Sequence, residues 1–234
     1  MERKIIYVCV LFASFALVLL SSCSSDALVY SCDKEVDVWV KKNMTEIAQM
    51  DRIQWVNSGN IDYQRATYRA FTPEQRQSLW AGKFKEILND IVWTLEETKH
   101  IEYMLDFITE NLNLFENEIS QDVMDEFEIV LFKWKEYAVE ELGWTPQLLF
   151  AIINTPQSMN ADREIAIVEN PVVRLRNGTE KDCNANCSQL TEEDSSGNWY
   201  VCPAFFHKCK SGECNVTSSG CGTFWMYKCN GTCV

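Results

Sequence analysis

The segment from Thr72 to Ile91, TPEQRQSLWAGKFKEILNDI, sets the fold class. Thr72 is spaced to accept the amide of Gln75 while the Gln75 side chain reaches back, and Pro73 fills the first helical position, where no N–H is needed. Trp80, Phe84, Ile87, Leu88 and Ile91 then recur at three- and four-residue intervals, which predicts an amphipathic helix. The same signals extend to both sides. Val36, Trp39, Val40, Met44 and Ile47 predict a helix starting near Asp33. Thr94 and Glu97 form a second capping box ahead of Ile101, Met104, Leu105, Ile108 and Leu112. Val123, Phe127, Val130, Leu131, Trp134 and Ala138 make a fourth stripe, with Gly143 just past its end. Thr145-Pro146 opens a short further helix through Leu148, Leu149 and Ile152. A helical domain over 33–153 is long enough to bury a core of its own, with its tryptophans and methionines in that core.

The pattern stops where the cysteines begin. Of 11 cysteines, eight lie in the last 52 residues: Cys183, Cys187, Cys202, Cys209, Cys214, Cys221, Cys229 and Cys233. Such a tail is too short to assemble much apolar interior, so covalent bonds or a metal must hold it. Structural zinc favours paired Cys-x₂₋₄-Cys knuckles. The intervals here run from three to 14 residues and His207 is the only nearby histidine. Four disulfides, with no metal, are therefore expected, in a pairing that spacing alone leaves open. Residues 154–182, with Pro156, Pro171 and Gly178, read as a connector carrying two β-like runs, 165–168 and 172–175. The fold class that results is mainly α: a helical bundle body followed by a small disulfide-rich, irregular or short-β module at 183–234.

The N-terminus argues for export. Arg3 and Lys4 precede an uncharged apolar run, Ile5 to Leu20, that is short for a membrane span. It leads into Leu20-Ser21-Ser22-Cys23, the aliphatic-small-small-Cys boundary of a bacterial lipoprotein signal. Residues 1–22 are expected to be removed and Cys23 lipidated, with 23–32 as a tether. This places the chain in the cell envelope, at the outer membrane or cell surface, where disulfides persist. Cys32 is then left over, as a small buried residue or an intermolecular partner, unless Cys23 is unmodified and bridges it.

Charge follows the same division. Residues 24–171 carry 27 Asp and Glu against 13 Lys and Arg, and residues 172–234 carry six of each. An acidic body excludes nucleic acid, whose affinity comes largely from cations meeting phosphates.

The tail resembles the fulvocin C group of small cysteine-rich bacteriocins. The resemblance rests on Ala185-Asn186-Cys187-Ser188, Tyr200-Val201-Cys202-Pro203, Gly220-Cys221-Gly222-Thr223-Phe224-Trp225-Met226-Tyr227 and Cys229-Asn230-Gly231. Tyr68 to Glu74, with Leu79-Trp80, is similar to the helical part of exported fulvocin C-related proteins. It implies a bacteriocin-like lipoprotein. Six tail cysteines align with the bacteriocin pattern; Cys183 and Cys233 stand outside it, which implies a bridge between those two.

Two functions follow as expectations, neither enzymatic and neither using a cofactor. One is an antibacterial effector acting on target-cell membranes through Trp199, Tyr200, Phe205, Phe206, Phe224, Trp225 and Tyr227, rings suited to a membrane interface. The other is a cell-surface module binding a protein or glycan through the same rings. Packing of those rings beneath the helical body is the structural alternative. The near-neutral tail lacks the cationic face usual for attack on anionic membranes. His100, near Glu96 and Tyr103, is expected to face solvent, and no recognisable catalytic motif surrounds it or His207.

Overall fold

The computed structural model describes residues 28–58, 60–165, 182–187, 209–211 and 214–233. Among them are eight α-helices: α1 (Lys34–Lys42), α2 (Met44–Ile47), α3 (Arg52–Val56), α4 (Ile61–Ala70), α5 (Pro73–Asp90), α6 (Leu95–Glu110), α7 (Gln121–Glu140) and α8 (Pro146–Leu149). Four short strands follow: β1 (Cys209–Ser211), β2 (Thr217–Cys221), β3 (Tyr227–Cys229) and β4 (Gly231–Cys233). They form two antiparallel pairs, β1 with β4 and β2 with β3. The mainly α body with a disulfide-rich, short-β tail is thus observed.

The caps form as their spacing requires. Thr72 and Gln75 close one capping box, and Thr94 and Glu97 close another. The Asp33 carboxylate accepts the amides of Glu35 and Val36. Gly143 takes a left-handed φ of 66°, which lets the Trp144 amide return to the Ala138 carbonyl at 2.9 Å and end α7. α5 runs through the centre, burying Leu79, Trp80, Phe84 and Ile87 against Ile101, Met104 and Ile108 of α6 and Phe127, Leu131 and Trp134 of α7.

The departures have local causes. The first predicted stripe breaks at Asn43, whose side-chain amide donates to the Trp39 carbonyl at 2.7 Å and leaves Met44 exposed. Leu112 is likewise exposed, because α6 ends at Glu110 and a 3₁₀ turn, Leu112–Phe115, follows. The helix α3 has no stripe of its own in the sequence reading, and α4 enters it only through the resemblance at Tyr68 to Ala70. In α4 the buried set includes Gln64, Thr67 and Arg69, so its inward face is too polar to register as an apolar stripe.

Phe150–Asn154 forms a π-helical turn after α8, and the body buries it almost whole. Lys83 of α5 is fully buried beneath this turn and donates to the carbonyls of Ala151, Thr155 and Gln157. Of the two β-like runs expected in the connector, only Ile165 is described; it makes an isolated antiparallel bridge with Met159. No helix among the described residues is long and apolar enough to cross a membrane.

Candidate functional site

The tail enters the body as a hook. Cys221 and Cys229 are disulfide-bonded across the β2–β3 pair, and the chain between them makes a 3₁₀ turn, Thr223–Trp225. Phe224 and Trp225 both adopt left-handed φ, 52° and 55°, a conformation that non-glycine residues visit only when their surroundings impose it. What imposes it is the body core. Phe224 is fully buried, with ring centroids 5.2 Å from Trp80, 6.0 Å from Phe84 and 5.9 Å from Phe127. Trp225 meets Trp55 and Tyr68 edge-on at 5.3 and 5.6 Å, and the Arg65 guanidinium lies over its ring. The Tyr68 hydroxyl donates to the Phe224 carbonyl at 2.7 Å; burial pushes that phenol up to about 12, so it stays a protonated donor. Asn154 completes the seat, accepting the Thr223 hydroxyl and the Trp225 indole N–H.

Arginines of α4 hold the tail's backbone. Arg65 donates to the carbonyls of Gly220 and Asn184. Arg69 donates to the carbonyls of Tyr30 and Ser219 and to the Thr217 hydroxyl, and it pairs with Asp182 at 3.0 Å. Asp182 also accepts the Cys32 amide, which ties the N-terminal segment to the same point. Gly220 sits at φ 102° with Arg69 only 3.4 Å from where a Cβ would lie, so a side chain there would meet both strain and crowding. Sequence reading missed this clamp, since buried arginines leave no apolar periodicity; Tyr68 and Arg69 entered it only through the family resemblance.

Two expectations are corrected here. Cys183 bonds Cys214, not Cys233. The backbone explains this: the Cys183 amide donates to the Asn215 carbonyl at 2.8 Å, while Cys233 lies opposite Cys209 in the β1–β4 register. Cys187 is also disulfide-bonded, beside Gly231. The second correction concerns the candidate binding rings. Phe224 and Trp225 are core residues with 0% and 3% exposure, and Tyr227 is half-buried beside the Glu128 carboxylate. Trp199, Tyr200, Phe205 and Phe206 lie outside the described residues, as do Cys23, Cys202 and His207.

The body itself offers a recessed face. Thr94, Leu95, Glu96, Lys99, His100, Tyr103 and Tyr137 line an open depression of about 740 Å³ between α6 and α7. His100 does not project freely into solvent. It is half-buried, stacked on Trp134 at 4.6 Å, and its Nε2 lies 3.0 Å from the Trp134 carbonyl, which fixes that nitrogen as the donor. Burial lowers its pKa, against the opposing pull of that carbonyl, so the ring favours the neutral form. Trp144 and Tyr137 pack on its other sides, and the Tyr137 hydroxyl donates to Glu96. Behind this face Glu97 is buried, accepting Arg163, the Trp144 indole N–H and the Thr94 amide.

Chemically the depression presents the rings of His100, Tyr103 and Tyr137 together with the Glu96 and Lys99 side chains. His100 Nε2 is engaged by the Trp134 carbonyl. Lys83, whose pKa burial drives well below the usual lysine value, uses its ammonium to hold three carbonyls together. Among the described residues no cluster of His, Cys, Asp and Glu is placed to hold a metal ion. The chain matches no protein-family model, no curated protein and no solved structure.

Proposed function

We propose that the protein is an exported, lipid-anchored recognition module that binds a surface protein or glycan. Its tail is a structural part of the folded body and is not a toxin awaiting release. The observation that carries this reading is the hook. A released bacteriocin-like peptide would have to withdraw Phe224 and Trp225 from the helical core, break the Arg65 and Arg69 contacts, and leave Trp80, Phe84 and Trp55 facing a void. Such a cavity costs several kcal/mol, on the order of a whole domain's margin of stability. The disulfides agree with an oxidising, exported setting, and Cys23 supplies the anchor through its lipoprotein boundary. Recognition is assigned to the depression around Tyr103, His100 and Tyr137, where aromatic faces and Glu96 are presented together. Aromatic platforms beside carboxylates suit sugar rings and apolar or cationic side chains.

The test uses the mature, oxidised protein with a protease site engineered into residues 166–181. After cleavage without reductant, the tail should co-elute with the body, and the sample should neither leak dye from phosphatidylethanolamine–phosphatidylglycerol vesicles nor inhibit growth of neighbouring bacteria. A tail fragment that separates and permeabilises vesicles would overturn the reading in favour of a released effector.

A further inference from the structure

The N-terminal segment and the tail emerge side by side at one ion-paired hub. Arg69 donates to the Tyr30 carbonyl with one nitrogen and to the Thr217 hydroxyl with another, so a single guanidinium spans the two segments. Asp182 accepts the Cys32 amide and forms a bridge with Asn215. The Tyr30 amide donates to Asp37, and Asp37 pairs with Lys41 at 2.8 Å. Tyr30, Asp37 and Thr217 each have an exposed aliphatic neighbour in sequence. Leu28 and Val29 precede Tyr30, Val38 follows Asp37, and Val216 lies between Asn215 and Thr217; they are 71%, 46%, 47% and 59% exposed. Among the described residues these four aliphatic side chains are largely exposed beside the hub, and Lys41 is held next to Val38 by Asp37.

The covalent path from the anchor identifies what covers them. Cys23 lies five residues before Leu28, and five residues at full extension reach at most about 18 Å. Whatever path those residues take, acyl chains on Cys23 hold Leu28 within that distance of the lipid. We infer that Leu28, Val29, Val38 and Val216 form the membrane-apposed face of the protein, seated on the lipid interface with Lys41 beside the headgroups. Aliphatic side chains flanked by a cation are the combination that lies favourably at such an interface. The depression between α6 and α7 then points elsewhere. The hub adjoins the start of α5 through Arg76, which donates to the Arg69 carbonyl, whereas Leu95 follows the far end of that helix. Eighteen residues at 1.5 Å each separate the two ends by about 27 Å.

This inference rests on the lipid-anchor reading, and its test keeps the two apart. The acylated mature protein, reconstituted in phosphatidylethanolamine–phosphatidylglycerol vesicles, would carry a photoreactive diazirine amino acid at position 29, 216 or 92. Val92 is 88% exposed and sits at the far end of α5, so it controls for exposure alone. Lipid adducts should form at 29 and 216 several-fold more than at 92, and should vanish in the Cys23→Ser variant. Equal labelling at all three sites in protein whose intact mass shows acyl chains would overturn the orientation while leaving the anchor standing. An intact mass without acyl chains would overturn both.

Discussion

The helical body and the cysteine-rich tail reach the same hydrophobic interior by opposite routes. Along α5, α6 and α7 the apolar side chains arrive through a repeating stripe, each supported by regular backbone hydrogen bonds and a capped helix end. Among the described residues of the tail, three consecutive ones, Phe224, Trp225 and Met226, are buried in that core, with Tyr227 packed against it. The three reach it through left-handed backbone at two of them, closed off by the Cys221–Cys229 bridge. Stripes distribute the work over many residues and tolerate single losses; a hook concentrates it. The lesson is that a disulfide-dense segment is not thereby an independent unit. Here its bridges shape a plug for someone else's core.

The sharpest attack on this comparison is Phe224→Ala. The ring touches Trp80, Phe84 and Phe127, so its removal should cost about 3–5 kcal/mol of global stability. Urea unfolding followed by far-ultraviolet dichroism should show the helices melting earlier. The outward-facing Phe132→Ala, at 65% exposure, should change stability by no more than about 0.5 kcal/mol. Helices that melt at the same urea concentration in Phe224→Ala would mean that the tail is autonomous after all.

Next in size is the clamp. Arg69→Met keeps the side chain's length but removes the cation paired with Asp182 and the guanidinium donor to the Tyr30 carbonyl. Stranding one partner of a buried pair costs about 3 kcal/mol. Limited proteolysis should then cut near residues 28–33 and in the tail at once, because both hang on that guanidinium. Removing the hook's bridge with a Cys221→Ser, Cys229→Ser double variant should cost less, about 2.5 kcal/mol for closure of so short a loop.

Legibility in the sequence divides along the same line. Thr72, Thr94, Thr145 and Gly143 announced their helix ends, because capping is local chemistry read within four residues. The disulfide nature of the tail was legible from composition. Its pairing was not, since Cys183 finds Cys214 through a backbone contact to Asn215 that no spacing encodes. The burial of Phe224 and Trp225 was equally hidden. Exposed rings and rings inserted into a neighbouring core look alike when only the tail is read, and the residues that receive them lie 71 to 170 positions away in the chain. His100 was misplaced for a related reason: its shelter comes from Trp134, Tyr137 and Trp144, on and beyond another helix.

The smallest effect separates body from tail by pH. Burial alone would push the Glu97 carboxyl up, but hydrogen bonds from Arg163, the Thr94 amide and the Trp144 indole outweigh it and hold the group at about 2, against an ordinary 4.5. A carboxyl depressed in the folded state adds stability that is fully present above its unfolded pKa and disappears as pH falls through the folded value. The window therefore runs from 4.5 down to about 2. Because Arg163 is one-third exposed and partly screened, the contribution should be about 2 kcal/mol and not the full value of the shift. Glu97→Gln should flatten the loss of stability across that window while leaving the cost of Phe224→Ala unchanged, since the carboxylate stands by Trp144 and the hook by Trp80. A Glu97→Gln variant whose acid sensitivity matched the unaltered chain would transfer that sensitivity to other carboxylates and break the assignment.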